Sequence, residues 1–349
     1  MYVNVLSVRR STRFLLLSLL IAPTTLSAQE PTGGGQLVKD IIGGAALVFR
    51  KPPDPPVEIA VGAVGSISGG TAKSRRAQRA AQNEKERVIA KGNAARSAKI
   101  PRYSEAEEQY RLAARLDPSD PRSFAGLGNV YMDQRRFAAA VVAYQEALRL
   151  RPEYAPVLMP LGFALIGVNK PAEALEMYQR SLKLEPDNPE VFNNLGYAFN
   201  QLARYEESIA VCQKAIELLG QTGLAYKQGL QERDEVLTQA YKNLGNAFNG
   251  LRRYPEAIEA LKHSTELEPE NAAAHFNLGL AYFNAGRTSE AIVAYNEVVR
   301  LKPKLPVAHF NLGIAYVAIN DHAAALKEYN TLKGLHQEMA AELFKMIKK

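Results

Sequence analysis

Tryptophan is absent from this chain of 349 residues, cysteine occurs once and histidine five times. One cysteine cannot close an internal disulfide, so no covalent staple within the chain supports the fold. The histidines are His263, His275, His309, His322 and His336, and no two stand three or four apart. That spacing argues against a metal pair on one helical face. No phosphate-cradling loop and no ordered Ser-His-Asp set occurs, and the stretch from Gly65 to Gly70 is too loose to hold a phosphate. No apolar run reaches the roughly 20 residues that a helix needs to cross a bilayer. These absences point to a non-enzymatic protein without a cofactor.

At the start of the chain Arg9, Arg10 and Arg13 precede a short apolar core, Phe14 to Ala22, which Pro23 ends. Leu26-Ser27-Ala28 then places small residues where a peptidase would cut. This reads as a secretory signal peptide cleaved after about Ala28, and it predicts an exported protein, periplasmic or extracellular. No cysteine follows the apolar core, which argues against a lipoprotein anchor.

The formal charge of +7 is unevenly spread. Residues 73–102 alone carry +8, the first 28 residues +3, and residues 103–349 a net −3. A basic collar thus stands before a mildly acidic remainder. Between them and the leader, residues 29–72 hold Gly33-Gly34-Gly35, Gly43-Gly44, Gly69-Gly70 and the proline cluster of 52–56. That composition predicts a disordered linker. From Thr71 to about Ala98 the text turns to helix-forming residues.

The remainder is periodic. Gly128, Gly162, Gly196, Gly245, Gly279 and Gly313 are spaced by 34, 34, 49, 34 and 34 residues. Four before each glycine stands Phe124, Leu158, Phe192, Tyr241, His275 or His309; three after it, Tyr131, Leu165, Phe199, Phe248, Tyr282 or Tyr316. A small residue follows at twelve (Ala140, Ala174, Ser208, Ala257, Ala291, Ala325). A larger one follows at sixteen (Tyr144, Tyr178, Cys212, Leu261, Tyr295, Tyr329). Spacings of three, four and seven put these residues on one face of a helix. The small residue admits a second, antiparallel helix, and Pro152, Pro186, Pro269 or Pro303 stops that helix before the next unit. By this register Cys212 faces inward and is buried, and the histidines at 275 and 309 are packing residues.

These marks resemble the tetratricopeptide repeat over about residues 85–339. The resemblance implies an all-α fold, a right-handed superhelical solenoid of antiparallel helix pairs with about seven units. The expected organisation is a signal peptide at 1–28, a Gly/Pro-rich linker at 29–72, and a basic helix with a degenerate first repeat at 73–120. Six repeats follow at 121–339 with an insertion near 223–237, and residues 340–349 end a C-terminal capping helix. Pro160 is expected to kink its helix.

In that family the positions three and two before the glycine, and one, four and five after it, tend to line a concave groove. Carried onto this chain, the central repeats offer Asn193, Asn194, Tyr197, Asn200 and Gln201, then Lys242, Asn243, Asn246 and Asn249. The last two offer Phe276, Asn277, Leu280 and Phe283, then Phe310, Asn311, Ile314 and Val317. The groove is therefore expected to be amide-rich in its middle and apolar towards the C-terminus. Asn194, Asn243, Asn277 and Asn311 share one position, similar to the asparagine ladder of the peptide-binding repeats in O-linked glycosyltransferases. The same amides could instead satisfy backbone groups inside the array. Lys242, Asn246 and Asn277 also match three of the five groups of the co-chaperone carboxylate clamp. Val307 and Asn311 replace its other two, so that clamp is incomplete.

The reading that follows is a protein–protein interaction scaffold holding a partner's peptide or helix in its groove. The alternative is an accessory subunit of a cell-envelope assembly or secretion complex, acting through its basic N-terminal region. Residues 73–102 have no aromatic for base stacking, so nucleic acid is not expected. An anionic membrane surface is a second partner that their charge suits. Oligomeric state is open at this level.

Overall fold

The computed structural model describes residues 72–222 and 230–348. The readings of 1–28 and 29–71, and residues 223–229 of the insertion, lie outside the described residues. Among the described residues are fifteen α-helices and no strand. Among the described residues two compact units are separated between Asn194 and Leu195.

The first unit contains α1 (Ala72–Arg96), α2 (Tyr103–Leu116), α3 (Pro121–Asp133), α4 (Phe137–Leu150), α5 (Ala155–Gly167) and α6 (Pro171–Leu184). The unit boundary falls inside α7 (Pro189–Gln201). The second unit continues with α8 (Tyr205–Thr222), α9 (Leu230–Gly250), α10 (Tyr254–Leu267), α11 (Ala272–Asn284) and α12 (Thr288–Leu301). It ends with α13 (Pro306–Ala318), α14 (His322–Leu335) and α15 (Gln337–Ile347). Consecutive helices pack on one another from α1 to α6 and from α8 to α15. The first helices of neighbouring hairpins also meet: α1 with α3, α3 with α5, and α9 with α11. Short connections between packed helices make each pair an antiparallel hairpin. α8 and α9, of 18 and 21 residues, exceed the 13 or 14 of the other paired helices from α3 to α14.

The six hairpins from α3–α4 to α13–α14 close by the same local device. The residue seven after the repeat glycine has a positive φ: Arg135 (58°), Asn169 (62°), Ala203 (57°), Arg252 (62°), Gly286 (79°) and Asn320 (63°). The next amide then reaches back to the carbonyl five residues earlier, as Arg204 N does to Phe199 O at 2.9 Å. Only one of these six positions is glycine, so the chain accepts left-handed strain at the others. Ala203→Gly is therefore expected to raise stability by roughly 0.5–1 kcal/mol, because relief of strain exceeds the added unfolded-state entropy. Urea denaturation of the two proteins measures it, and an unchanged or lowered midpoint would refute the strain argument.

The residue after that turn bridges the hairpin. Arg204, Arg253 and Arg287 lie over the rings of Phe199, Phe248 and Tyr282 at 4.7, 4.6 and 4.7 Å, and each also pairs with the glutamate three residues on. Helix starts are set by Pro121, Pro171 and Pro306 in the first turn, and by side-chain caps from Asp120, Asn188, Asn271 and Asp321. Pro160 lies inside α5, which continues through it to Gly167.

At Gly128, Gly162, Gly196, Gly245 and Gly279 a side chain of the hairpin's second helix packs directly on the glycine. A Cβ on Gly128 would stand 2.4 Å from the Tyr144 ring, and one on Gly162 2.5 Å from that of Tyr178. Cys212 takes the same place against Gly196; it is fully buried, and burial pushes its thiol pKa up to about 12. His309 is also buried. Its Nδ1 lies 2.6 Å from Glu328 Oε2 and its Nε2 2.8 Å from the Pro303 carbonyl. Two acceptors need two ring N–H groups, and the hydrogen bond to Glu328 holds its pKa above the ordinary value.

Candidate binding surfaces

The positions expected to line a groove divide into three groups. Gln201 is exposed, and Asn194, Tyr197, Asn200, Asn246, Asn249, Leu280 and Val317 are half-buried. Nine others are buried, which corrects the expectation of an open surface at these places: Asn193, Lys242, Asn243, Phe276, Asn277, Phe283, Phe310, Asn311 and Ile314. For those in the second unit, neighbouring first helices approach closely enough to take the side chains out of solvent: α9 packs on α11, and Phe276 of α11 shares a core with Phe310 of α13. Asn200 Nδ2 donates to the Asn243 carbonyl at 2.8 Å, and Asn249 Nδ2 to that of Asn277 at 3.5 Å. Asn311 donates to Val307 O of its own helix at 2.8 Å. Phe276, Phe283, Phe310 and Ile314 belong to one apolar core with Tyr295, Val298 and Leu343. The amides of Asn200 and Asn249 and these apolar side chains therefore join repeat to repeat, whereas the Asn311 bond stays within its helix.

Lys242 is the exception in chemistry. Its side chain is 1% exposed, its ammonium donates to Gln239 Oε1, and among the described residues it forms no ion pair. Burial pulls its pKa down to about 8, with the more distant Glu268 acting in the other direction.

The first unit carries a surface that the sequence reading passed over. On α5, Phe163 is 43% exposed, and Met159, Pro160 and Ile166 are half-buried. These stand three and two before and one and four after Gly162, at the offsets already applied to the later repeats; applied here as well, they would have found it. The spacing sets them along one helical stripe. No charged residue occurs between Ala155 and Val168. Pro160 has no amide hydrogen, so the Pro156 carbonyl beneath the stripe lacks its helical donor. Phe163 is held from one side by Phe137, with ring centroids 6.4 Å apart.

The basic collar is partly neutralised by the fold. Lys85 is buried against Asp117 and Asp120 at 2.8 and 3.0 Å; Arg96 pairs with Asp133 at 2.6 Å, Arg87 with Glu84 and Arg102 with Glu105. Burial opposes ionisation of Asp120, but hydrogen bonds from Arg122 and Lys85 outweigh it and hold the carboxyl well below the usual range. Among the described residues no cluster of three metal-binding side chains occurs, and no helix is long and apolar enough to cross a membrane.

A stack of helical hairpins closed by one recurring turn places the chain among the all-helical repeat proteins. More narrowly, the repeats are tetratricopeptide repeats: residues 121–154, and residues 159–221 with 242–306, match models of that repeat. Solved structures agree in fold. A tetratricopeptide repeat protein from Parabacteroides merdae is 17% identical with a TM-score of 0.57, over 76% of this chain and 100% of that one. Pseudomonas aeruginosa pilF is 20% identical with a TM-score of 0.51, over 65% of this chain and 98% of its own. A chain of the APC/C hetero-tetramer Cut9-Hcn1 is 22% identical with a TM-score of 0.53, over 68% of this chain and 47% of that one. At these identities the likeness concerns the fold alone. No curated protein matches the sequence.

Proposed function

We propose that this protein is a non-enzymatic scaffold that holds an apolar segment of a partner protein against the α5 stripe of its first unit. The observation that carries the reading is Phe163, a large ring 43% exposed amid half-buried apolar neighbours on a helix without charge. Burying such a stripe under a partner's apolar side chains removes it from water, which favours docking there. Fold alone does not choose the partner. The rival reading, action through the basic collar, draws less support, since four of its cations are held in ion pairs.

The test compares proteins that co-purify with the wild type, Phe163→Glu and Val293→Glu. Val293 is 67% exposed on α12 and serves as a control for a charge added to an exposed apolar site. A genuine partner should fall at least tenfold with Phe163→Glu and be retained with Val293→Glu, at an unchanged melting temperature. Equal retention by both variants would show that the stripe is not the docking surface.

A further inference from the structure

Leu343 fills, in the last hairpin, a place that earlier hairpins fill from their own second helix. Gly128, Gly162, Gly245 and Gly279 face Tyr144, Tyr178, Leu261 and Tyr295, each sixteen residues further along. By that register Gly313 should face Tyr329. A Cβ on Gly313 would instead meet the Leu343 side chain of α15, at 2.5 Å. Leu343 is fully buried and Ala340 nearly so, while Tyr329 is displaced to the side and stacks on Phe344 with centroids 4.8 Å apart. The helix α15 thus inserts as a wedge into a slot of a hairpin that precedes it.

The wedge hangs on one residue. α14 ends at Leu335 and α15 begins at Gln337, so His336 alone makes the reversal, with φ −160° and ψ 100°. Its amide makes the final helical bond of α14, to Leu332 O at 2.6 Å, and its side chain caps α15 by accepting from Met339 N at 3.4 Å. Between His322 and Ile347 there is no proline. If His336 takes a helical conformation, α14 and α15 become one continuous helix, and Leu343 is carried about 12 Å beyond Leu335, away from its own Gly313. A hinge of one residue between an intact element and its slot is the arrangement from which domain swapping arises.

We propose that α15 exchanges between two copies of this chain, each copy's Leu343 filling the other's slot at Gly313. The occupant is a second copy because that copy offers the same Leu343, Ala340 and Phe344 contacts with no new surface required. Only the hinge conformation differs between the closed monomer and the exchanged dimer, so the hinge sets the balance between them and concentration shifts it.

Two hinge variants of the full chain push that balance in opposite directions. His336→Ala removes the α15 cap and favours a continuous helix, so the dimer association constant should rise about tenfold. Gln337→Pro suits the first position of α15 and keeps the preceding residue extended, but it breaks a continuous helix. It should lower the association constant about a hundredfold while leaving the monomer's melting temperature unchanged. Light scattering across a concentration series measures both. Lysine cross-linking of mixed isotope-labelled and unlabelled chains then identifies the route: in the dimer, links from Lys333 to Lys345 or Lys348 should join labelled to unlabelled chains. The proposal is overturned if the association constant ignores both hinge variants, or if those links in the dimer stay within one chain.

Discussion

Phe276→Ala is expected to destabilise the second unit by about 3–5 kcal/mol, the range for emptying a fully buried phenylalanine site. Phe276 has no exposed surface; its ring stands 5.8 Å from that of Tyr295 at 54°, in a core shared with Val298, Val307 and Phe310. Because repeat arrays can lose hairpins locally, the loss is best read by hydrogen exchange of the amides in α11 to α13 together with urea denaturation. Any loss of partner binding by this variant should track its loss of structure. A variant that releases a partner while keeping full protection would show instead that the ring is a ligand-facing group.

Lys242→Met should act in the opposite direction, stabilising the protein at pH 7 by about 2–3 kcal/mol. The native amine titrates at about 8 and an unfolded lysine near 10.5. Between those values the unfolded chain binds more protons than the native one, so this residue's contribution to stability rises with pH across that window. Below pH 8 the full penalty of burying the cation applies, on the order of 3 kcal/mol from the difference in pKa. Above about pH 10.5 it disappears. The advantage of methionine over lysine is thus expected to be constant from pH 6 to 8 and to shrink towards zero as pH approaches 10.5. Denaturant melts of both proteins across that range measure it, and a gap that does not change with pH would mean that the Lys242 amine is solvated in the native state.

Much of the fold was legible because the repeat is local chemistry. The glycine, the small residue twelve further on and the large one at sixteen are spaced by helix geometry, so a 34-residue register exposes the hairpins without any long-range contact. The burial of Cys212 followed from that register alone. The hairpin turns were less visible. Their left-handed position is glycine only at Gly286, and Arg135, Ala203 and Arg252 carry no turn signature. Here packing of the two helices overrides the residue's own preference.

The candidate site was legible in position but not in exposure. Offsets from the repeat glycine say which side of a first helix a residue occupies. They do not say how closely the neighbouring first helix approaches. At Asn243, Asn277 and Phe310 the approach is close enough to bury the side chain, whereas around Phe163 it leaves a ring in contact with solvent. The asparagines show the difference: the amides of Asn200 and Asn249 are spent on carbonyls of the following hairpin.

By itself the sequence determined that the chain forms helical hairpins, how many residues each takes and which face of each helix is apolar. Those properties depend on residues within one or two turns of each other. Tertiary structure decided which of the inward-facing side chains stay accessible, that Lys242 is buried with no ion pair among the described residues, and that Leu343 rather than Tyr329 meets Gly313. Each of these depends on the distance between helices that are neighbours in space. That distance is set by the combined packing of many side chains, and no local spacing encodes it.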